Sequence, residues 1–214
     1  MTPTGPATIR QARREGKSAR PPAFPAHHPK DRLRYLDSLL PILDVDEILA
    51  LIHELAAYEH AASSVEATTD SLLRTLNFAD SVSPRQGYAS TFLITVSTPS
   101  TDSKNTASEQ IAGLALYFTN YSTWRAAPGV YLEDLFIRPA FRRRGYGKAL
   151  IGALAAETVR IGGKRLEWSV LRWNEPSIKF YESLGAVGMT EWMGMRVDGE
   201  GLVRLAQAGQ TTAS

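Results

Sequence analysis

The chain has 214 residues, 43% of them hydrophobic and 21% charged, enough to bury one core of ordinary domain size. It contains no cysteine, which excludes disulfides, a thiolate nucleophile and cysteine-based zinc sites. The net charge of +2 is uneven: residues 1–34 hold eight Lys/Arg against two Asp/Glu, so the remainder is mildly acidic and no partnership with nucleic acid is expected.

Apolar runs fall far short of a membrane span, so no membrane partner is expected. The Arg-rich, acid-poor start has the composition of a mitochondrial presequence, but the prolines of "RPPAFPAHHP" would break its helix. Cytoplasmic residence is expected, with mitochondrial or nuclear placement left open.

"ATIRQAR" (Ala7–Arg13) alternates apolar and polar residues and predicts an edge strand. The proline-rich basic stretch that follows reads as linker. In "DVDEILALIHELAAYEHA", Val45, Ile48, Leu49, Ile52, Leu55 and Ala56 recur at helical spacing, with Asp44 or Asp46 as cap. "TTDSLLRTLNF" predicts a second helix capped near Thr69 or Asp70. "YASTFLITV", "EQIAGLALYFTNY" and "GVYLEDLFIRP" predict an antiparallel meander, its first connector ("STPSTDSKNTAS") a mobile hairpin loop. "GYGKALIGALAAETVRIGG" is then a helix stopped by Gly162 and Gly163. "KRLEWSVL" is a strand, and "NEPSIKFYESLGA" a helix capped by Asn174 with Pro176 in its first turn. "MTEWMGMRVDG" is expected as the final strand. The order is that of a mixed α/β domain.

One stretch, "FIRPAFRRRGYGKAL", lies between a strand and a helix. Unpaired N–H groups and partial positive charge at a helix start attract anions, and Gly145 and Gly147 let backbone approach a phosphate closely. Arg142, Arg143, Arg144 and Lys148 add cationic contacts. There is no G-x-x-x-x-G-K-[ST] and no G-x-G-x-x-G; the pattern is R-x-x-G-x-G.

That pattern after "LEDLFIRP", with "ILALIHELAAYE" upstream and "WNEPSIKFYESLGA" downstream, resembles the GNAT superfamily of N-acetyltransferases and its diamine (spermidine/spermine, thialysine) branch. The resemblance covers roughly Val45–Leu205, with Ala7–Glu15 as a further segment. It implies an α/β (α+β) GNAT fold: a mixed, mostly antiparallel sheet splayed between the fourth and fifth strands and flanked by helices. It implies acetyl-CoA as cosubstrate, a small-molecule amine acceptor, no metal and a homodimer. On this reading Arg142, Arg143, Arg144, Gly145, Tyr146, Gly147 and Lys148 hold the pyrophosphate. The backbone of Leu135, Phe136 and Ile137 meets the pantetheine arm and steadies the thioester carbonyl, and Asn174 and Ser177 contact the coenzyme from the other side. Tyr181 is the general acid that protonates the departing thiolate. Glu133 is the acidic residue at the acceptor mouth. Tyr58, Glu59, Trp124, Asp134, Glu167, Trp168 and Ser169 line the acceptor side.

The chemistry also follows from the residues. An alkylammonium has a pKa near 10 and must lose a proton before it can attack. Glu133, Asp134 and Glu59 would attract the cation, and Glu133 would take the proton through a water chain. Direct attack in a ternary complex needs no enzyme nucleophile.

The family's polyamine enzymes carry an Asp near the Trp of the second hairpin, whereas this chain has Ser122 and Thr123. That favours a smaller amine over a long polycation. Acetylation of protein lysines or N-termini on the same fold stays open as an alternative, and so does a non-catalytic coenzyme- or nucleic-acid-binding module. His53 and His60 lack a third ligand and metal-ligand spacing.

The expected organisation is a first strand in 1–15, an insertion in 16–43, the transferase domain in 44–206 and a disordered tail in 207–214. The insertion is either a flexible segment or a retained intron. Gly16-Lys17-Ser18 is encodable with the splice-donor string GTAAGT, and its removal would restore "ARREDVDEILALI".

Overall fold

The computed structural model describes residues 6–14, 44–79, 87–98 and 108–211. The expected insertion 16–43 and most of the expected hairpin loop lie outside these residues. The chain divides into two compact units, Met1–Ser169 and Val170–Ser214.

The first unit is built on one sheet. Strands β1 (Ala7–Gln11), β3 (Ala89–Thr98), β4 (Ser108–Ser122), β5 (Ala127–Ile137) and β6 (Leu166–Trp168) lie in that order. The two-residue strand β2 (Leu76–Asn77), which the sequence pattern does not announce, pairs with β3 in parallel. β1–β3, β3–β4 and β4–β5 are antiparallel, as the meander predicts; β5–β6 is parallel. Helices α1 (Asp44–Tyr58) and α2 (Thr69–Thr75) precede the meander, and α3 (Tyr146–Arg160) forms the crossover from β5 to β6.

The apolar spacing of α1 explains its docking. Val45, Ile48 and Leu51 are fully buried and join Leu93, Leu114, Leu116 and Phe136 of the sheet in one core cluster. Each such side chain contributes about 1.5–3 kcal/mol of burial. α3 packs against β4 and β5 through its buried face of Leu150, Ile151 and Leu154. α2 is capped one residue earlier than expected: Thr68 accepts from Ser71 N, and the Ser71 hydroxyl accepts from Thr68 N, a reciprocal capping box.

Asp44 does not serve as a simple cap. Its carboxylate accepts two hydrogen bonds from the Arg10 guanidinium, at 2.6 and 2.9 Å, and one from Arg13 N at 2.6 Å. Arg138 closes the same side. It donates to Glu54 and Glu47 of α1 at 2.9 and 3.0 Å and to the Ile111 carbonyl at 2.9 Å.

Two irregularities shape the sheet. Ile94 pairs with Gly113 and Thr95 with Ile111, leaving Ala112 as an extra residue in β4 whose carbonyl accepts from Arg138 N. Leu116 pairs with Asp134 and Tyr117 with Leu132, leaving Glu133 as the extra residue in β5. β6 pairs with β5 from Val130 to Leu132, and no described strand continues that pairing beside Glu133–Ile137. This is the expected splay, here between β5 and β6 because β2 shifts the count.

The second unit holds α4 (Glu175–Glu182) and α5 (Gly199–Thr211). The expected final strand in Met189–Gly199 is not formed. A strand needs a ladder partner, and this segment has none among the described residues; Met193 and Met195 are more than four-fifths exposed. α5 replaces both the end of that reading and the first part of the expected tail. Leu202, Leu205, Ala206 and Ala208 are strong helix formers, and their pattern prevails. No described helix is long and apolar enough to cross a membrane.

Candidate active site

The site of the first unit is assembled where β5 parts from β6. The bulge turns the strand at Glu133, which is exposed, while its neighbour Asp134 is part-buried. Burial pushes the Asp134 carboxyl up to about 6, and the nearby negative charges of Glu133 and then Glu59 add to that effect. Burial also raises Glu59, which follows the last residue of α1. Three carboxylates predicted for the acceptor side therefore do gather. Asp134 is the most buried of them by its surroundings, and its carboxyl is pushed toward neutrality.

Past the carboxylates, Leu135, Phe136 and Ile137 present the unpartnered edge of β5. The chain then passes a short 3-10 turn, Pro139–Phe141, into the basic loop. Arg143 has a φ of 62° and Gly145, the N-cap of α3, a φ of 79°. Left-handed residues this close to a helix start turn successive N–H groups toward one concavity, and the first-turn N–H groups of Tyr146, Gly147 and Lys148 have no helical carbonyl to bond. A Cβ at Gly145 would meet nothing within 4 Å, so the demand for glycine is conformational.

The arginine side chains brace this loop. Arg142 Nε donates to the Ile137 carbonyl at 2.9 Å, and its guanidinium lies 5.2 Å from the Tyr58 ring and 5.6 Å from the Phe136 ring. Arg144 donates to the Ala140 carbonyl at 3.2 Å and lies over Phe141. Arg143 and Lys148 are exposed. The run of three arginines thus divides into two loop braces and one left-handed residue.

Other predicted residues take structural duties. Glu167 Oε2 accepts from Asn120 Nδ2 at 2.8 Å and pairs with Arg165 at 2.7 Å, fastening β6 to β4. Trp168 faces Leu132 at the last β5–β6 rung, and the Ser169 and Tyr131 hydroxyls are hydrogen-bonded at 2.8 Å. These contacts fix the point of divergence. Trp124 sits in the β4–β5 turn and is 88% exposed. Asp134 lies seven residues along β5 from Ala127, so at about 3.3 Å per residue roughly 20 Å of strand keeps Trp124 away from the carboxylates of its own chain.

In the second unit, Asn174 caps α4 as predicted, its Oδ1 accepting from Ser177 N at 3.3 Å. Tyr181 lies on α4 beside Phe180, their rings 5.2 Å apart. Asn174, Ser177 and Tyr181 therefore share one short helix. Arg138 is the residue that motif reading missed. Its signal was Glu47 and Glu54, seven apart on one face of α1, awaiting a cation. Among the described residues no group of side chains could hold a metal.

An open sheet parted beside a bulged strand, a carboxylate cluster at the bulge and a left-handed basic turn at a helix start together offer one region suited to a cation and another suited to an anion. The profile of the Acetyltransferase (GNAT) family matches residues 85–186. L-ornithine N5-acetyltransferase from Arabidopsis thaliana is 44% identical over 92 residues, 43% of this chain and 40% of that protein. Thialysine N-epsilon-acetyltransferase from Bos taurus is 31% identical over 166 residues, 76% of this chain and 92% of that protein. In fold, a Vibrio cholerae integron cassette protein matches with a TM-score of 0.59 at 20% identity, covering 96% of this chain and 98% of that one. A soil-metagenome aminoglycoside acetyltransferase matches at 0.52 and 18% identity, over 73% and 88% of the two chains. The chain belongs to the GNAT acetyltransferase family and is an N-acetyltransferase.

Proposed function

We propose that this chain transfers an acetyl group from acetyl-CoA to a primary amine of a small cationic molecule such as ornithine, thialysine or a diamine. The observation that carries this reading is the gathering of Glu59, Glu133 and Asp134 immediately before the unpartnered edge of β5. The relatives that act on ornithine and thialysine support it.

The residues fit the cosubstrate. The turn through Arg143 and Gly145 and the first turn of α3 suit a pyrophosphate. The edge of Leu135–Ile137 offers backbone donors and acceptors to an amide-bearing arm, with Asn174 and Ser177 as further contacts. Acetyl-CoA supplies an acyl group activated as a thioester. Glu59 and Glu133 attract the ammonium, and Asp134 or Glu133 receives its proton at a carboxylate oxygen. On this reading the Leu135 N–H steadies developing negative charge, and the Tyr181 hydroxyl donates a proton to the leaving sulfur. No enzyme nucleophile takes part. The exposed Trp192, Met193 and Met195 support action as a homodimer.

Turnover of acetyl-CoA should be screened over ornithine, thialysine, diamines, lysine and a histone peptide, with Tyr181→Phe as control. Turnover is expected with a small amine and not with the peptide. Absence of turnover with every amine would sink the reading.

A further inference from the structure

We infer that Tyr58 is a positioning residue for the acyl-donor side of the site, acting through Arg142, rather than a contact to the acceptor amine. The inference rests on the proposed acetyl-CoA reading. Arg142 opens the basic run, yet its guanidinium is committed elsewhere. It stands 5.2 Å from the Tyr58 ring and 5.6 Å from the Phe136 ring, while its Nε holds the Ile137 carbonyl. Both rings are within the range of a cation–π contact. Arg142 is thereby fixed between the last residue of α1 and the end of β5, and the residue after it is the left-handed Arg143.

α1 is itself held against this segment. Arg138, four residues before Arg142, grips Glu47 and Glu54 of α1. Glu47, Glu54 and Tyr58 recur at spacings of seven and four, so one helix face meets both arginines. Tyr58, the last residue of α1, is the one of the three that meets Arg142 at the start of the basic run. Its neighbour Glu59 faces the other way in function, acting on Asp134 through charge. The end of α1 thus joins the donor turn to the acceptor carboxylates, and Tyr58 sets the donor half.

The contact uses the face of the ring, not the hydroxyl. Tyr58→Phe retains that face and Tyr58→Leu removes it. Two measurements separate this inference from the reading on which it rests. Amide hydrogen exchange of peptides covering residues 138–150 reports the loop without any ligand. Calorimetric titration with coenzyme A and the KM values for acetyl-CoA and amine report its use. Tyr58→Leu should speed exchange in the loop, weaken coenzyme A binding about three- to tenfold and raise the KM for acetyl-CoA by a similar factor. The amine KM should move less than twofold. Tyr58→Phe should restore loop protection and coenzyme A binding to within twofold of the parent. Combining Tyr58→Leu with Arg142→Gln should add little to either change alone.

Unchanged loop exchange in Tyr58→Leu would overturn the inference. So would a Tyr58→Phe variant as impaired as Tyr58→Leu with the defect confined to the amine KM, since the hydroxyl would then touch the acceptor. If loop exchange responds to Leu but not Phe while the parent binds no coenzyme A, the positioning of Arg142 stands and the acetyl-CoA reading falls.

Discussion

Arg10 and Asp44 form a bidentate ion pair with hydrogen bonds of 2.6 and 2.9 Å, and Arg13 N adds a third bond to the same carboxylate. The Asp44 side chain is 4% exposed and that of Arg10 17%. Removing one partner of a pair buried this far leaves a charge without compensation. Asp44→Ala should lower unfolding stability by about 3 kcal/mol, read as a fall in the urea midpoint. Asp44→Asn should lose less, because its amide oxygen still accepts from Arg13 N.

The same contact brings the two borders of the expected insertion together. Arg13 N and Asp44 Oδ2 are 2.6 Å apart, although residues 15–43 separate the described segments. A chain joined directly from Glu15 to Asp44 should fold. Its stability should be equal or up to about 2 kcal/mol higher, since a long loop no longer has to be closed. A single cooperative transition at a higher Tm, with turnover kept, is the expected result. Sequencing of the mature transcript decides between an insertion and a retained intron.

If Asp134 is the carboxylate that receives the ammonium proton, as one arm of the proposed reading has it, it sets the pH dependence. Its carboxyl is raised to about 6 by burial and by Glu133 and Glu59. As a base it is lost to protonation below that value, so kcat/KM should fall on the acid side of about pH 6. Glu133→Gln and Glu59→Gln should each move that limb to lower pH, because a neighbouring negative charge has gone. For stability the sign is opposite. The folded chain holds this proton more tightly than the unfolded chain, whose Asp titrates near 4. The contribution is therefore full below about pH 4 and lost as pH rises through about 6. Asp134→Asn should flatten that slope in pH-resolved urea unfolding.

Gly145 is a conformational requirement. Its φ is 79° and its missing Cβ would touch nothing. Gly145→Val should cost at least about 1 kcal/mol of stability and raise the KM for acetyl-CoA. Gly145→Asn, which visits the left-handed region more readily, should be milder on both counts. Equal effects would mean that side-chain bulk, not backbone, decides.

Tyr181→Phe keeps the ring beside Phe180 and removes only the hydroxyl. The kcat should fall about 100-fold with the unfolding midpoint unchanged. A fall of less than threefold would remove Tyr181 from the role of acid.

The first unit was legible because its signals are local. Period-3.6 apolar spacing gave α1 and α3, β-branched runs gave the meander, and the glycine after the arginines marked a helix start. What was not legible depends on tertiary placement. Nothing in "LED" says which carboxylate will be the buried one; the bulge at Glu133 decides that by turning Asp134 inward. Nothing in "RRR" says that two of the three side chains will fold back on carbonyls and rings. Trp124 was placed by its neighbours in sequence, and the length of the β4–β5 hairpin carries it away. "MTEWMGMRV" has the alternation of a strand, but alternation without a ladder is not a strand.

The short β5–β6 ladder has a bearing on how the molecule comes together. β3, β4 and β5 are neighbours in sequence and close by local hairpins, whereas the three rungs from Val130 to Leu132 form only after the whole of α3 has been laid across the sheet. Non-local pairing of this kind is late and slow in folding. The proposed coenzyme opening is thus bordered by a short non-local seam of three rungs, a place where native-state fluctuations should readily let solvent in.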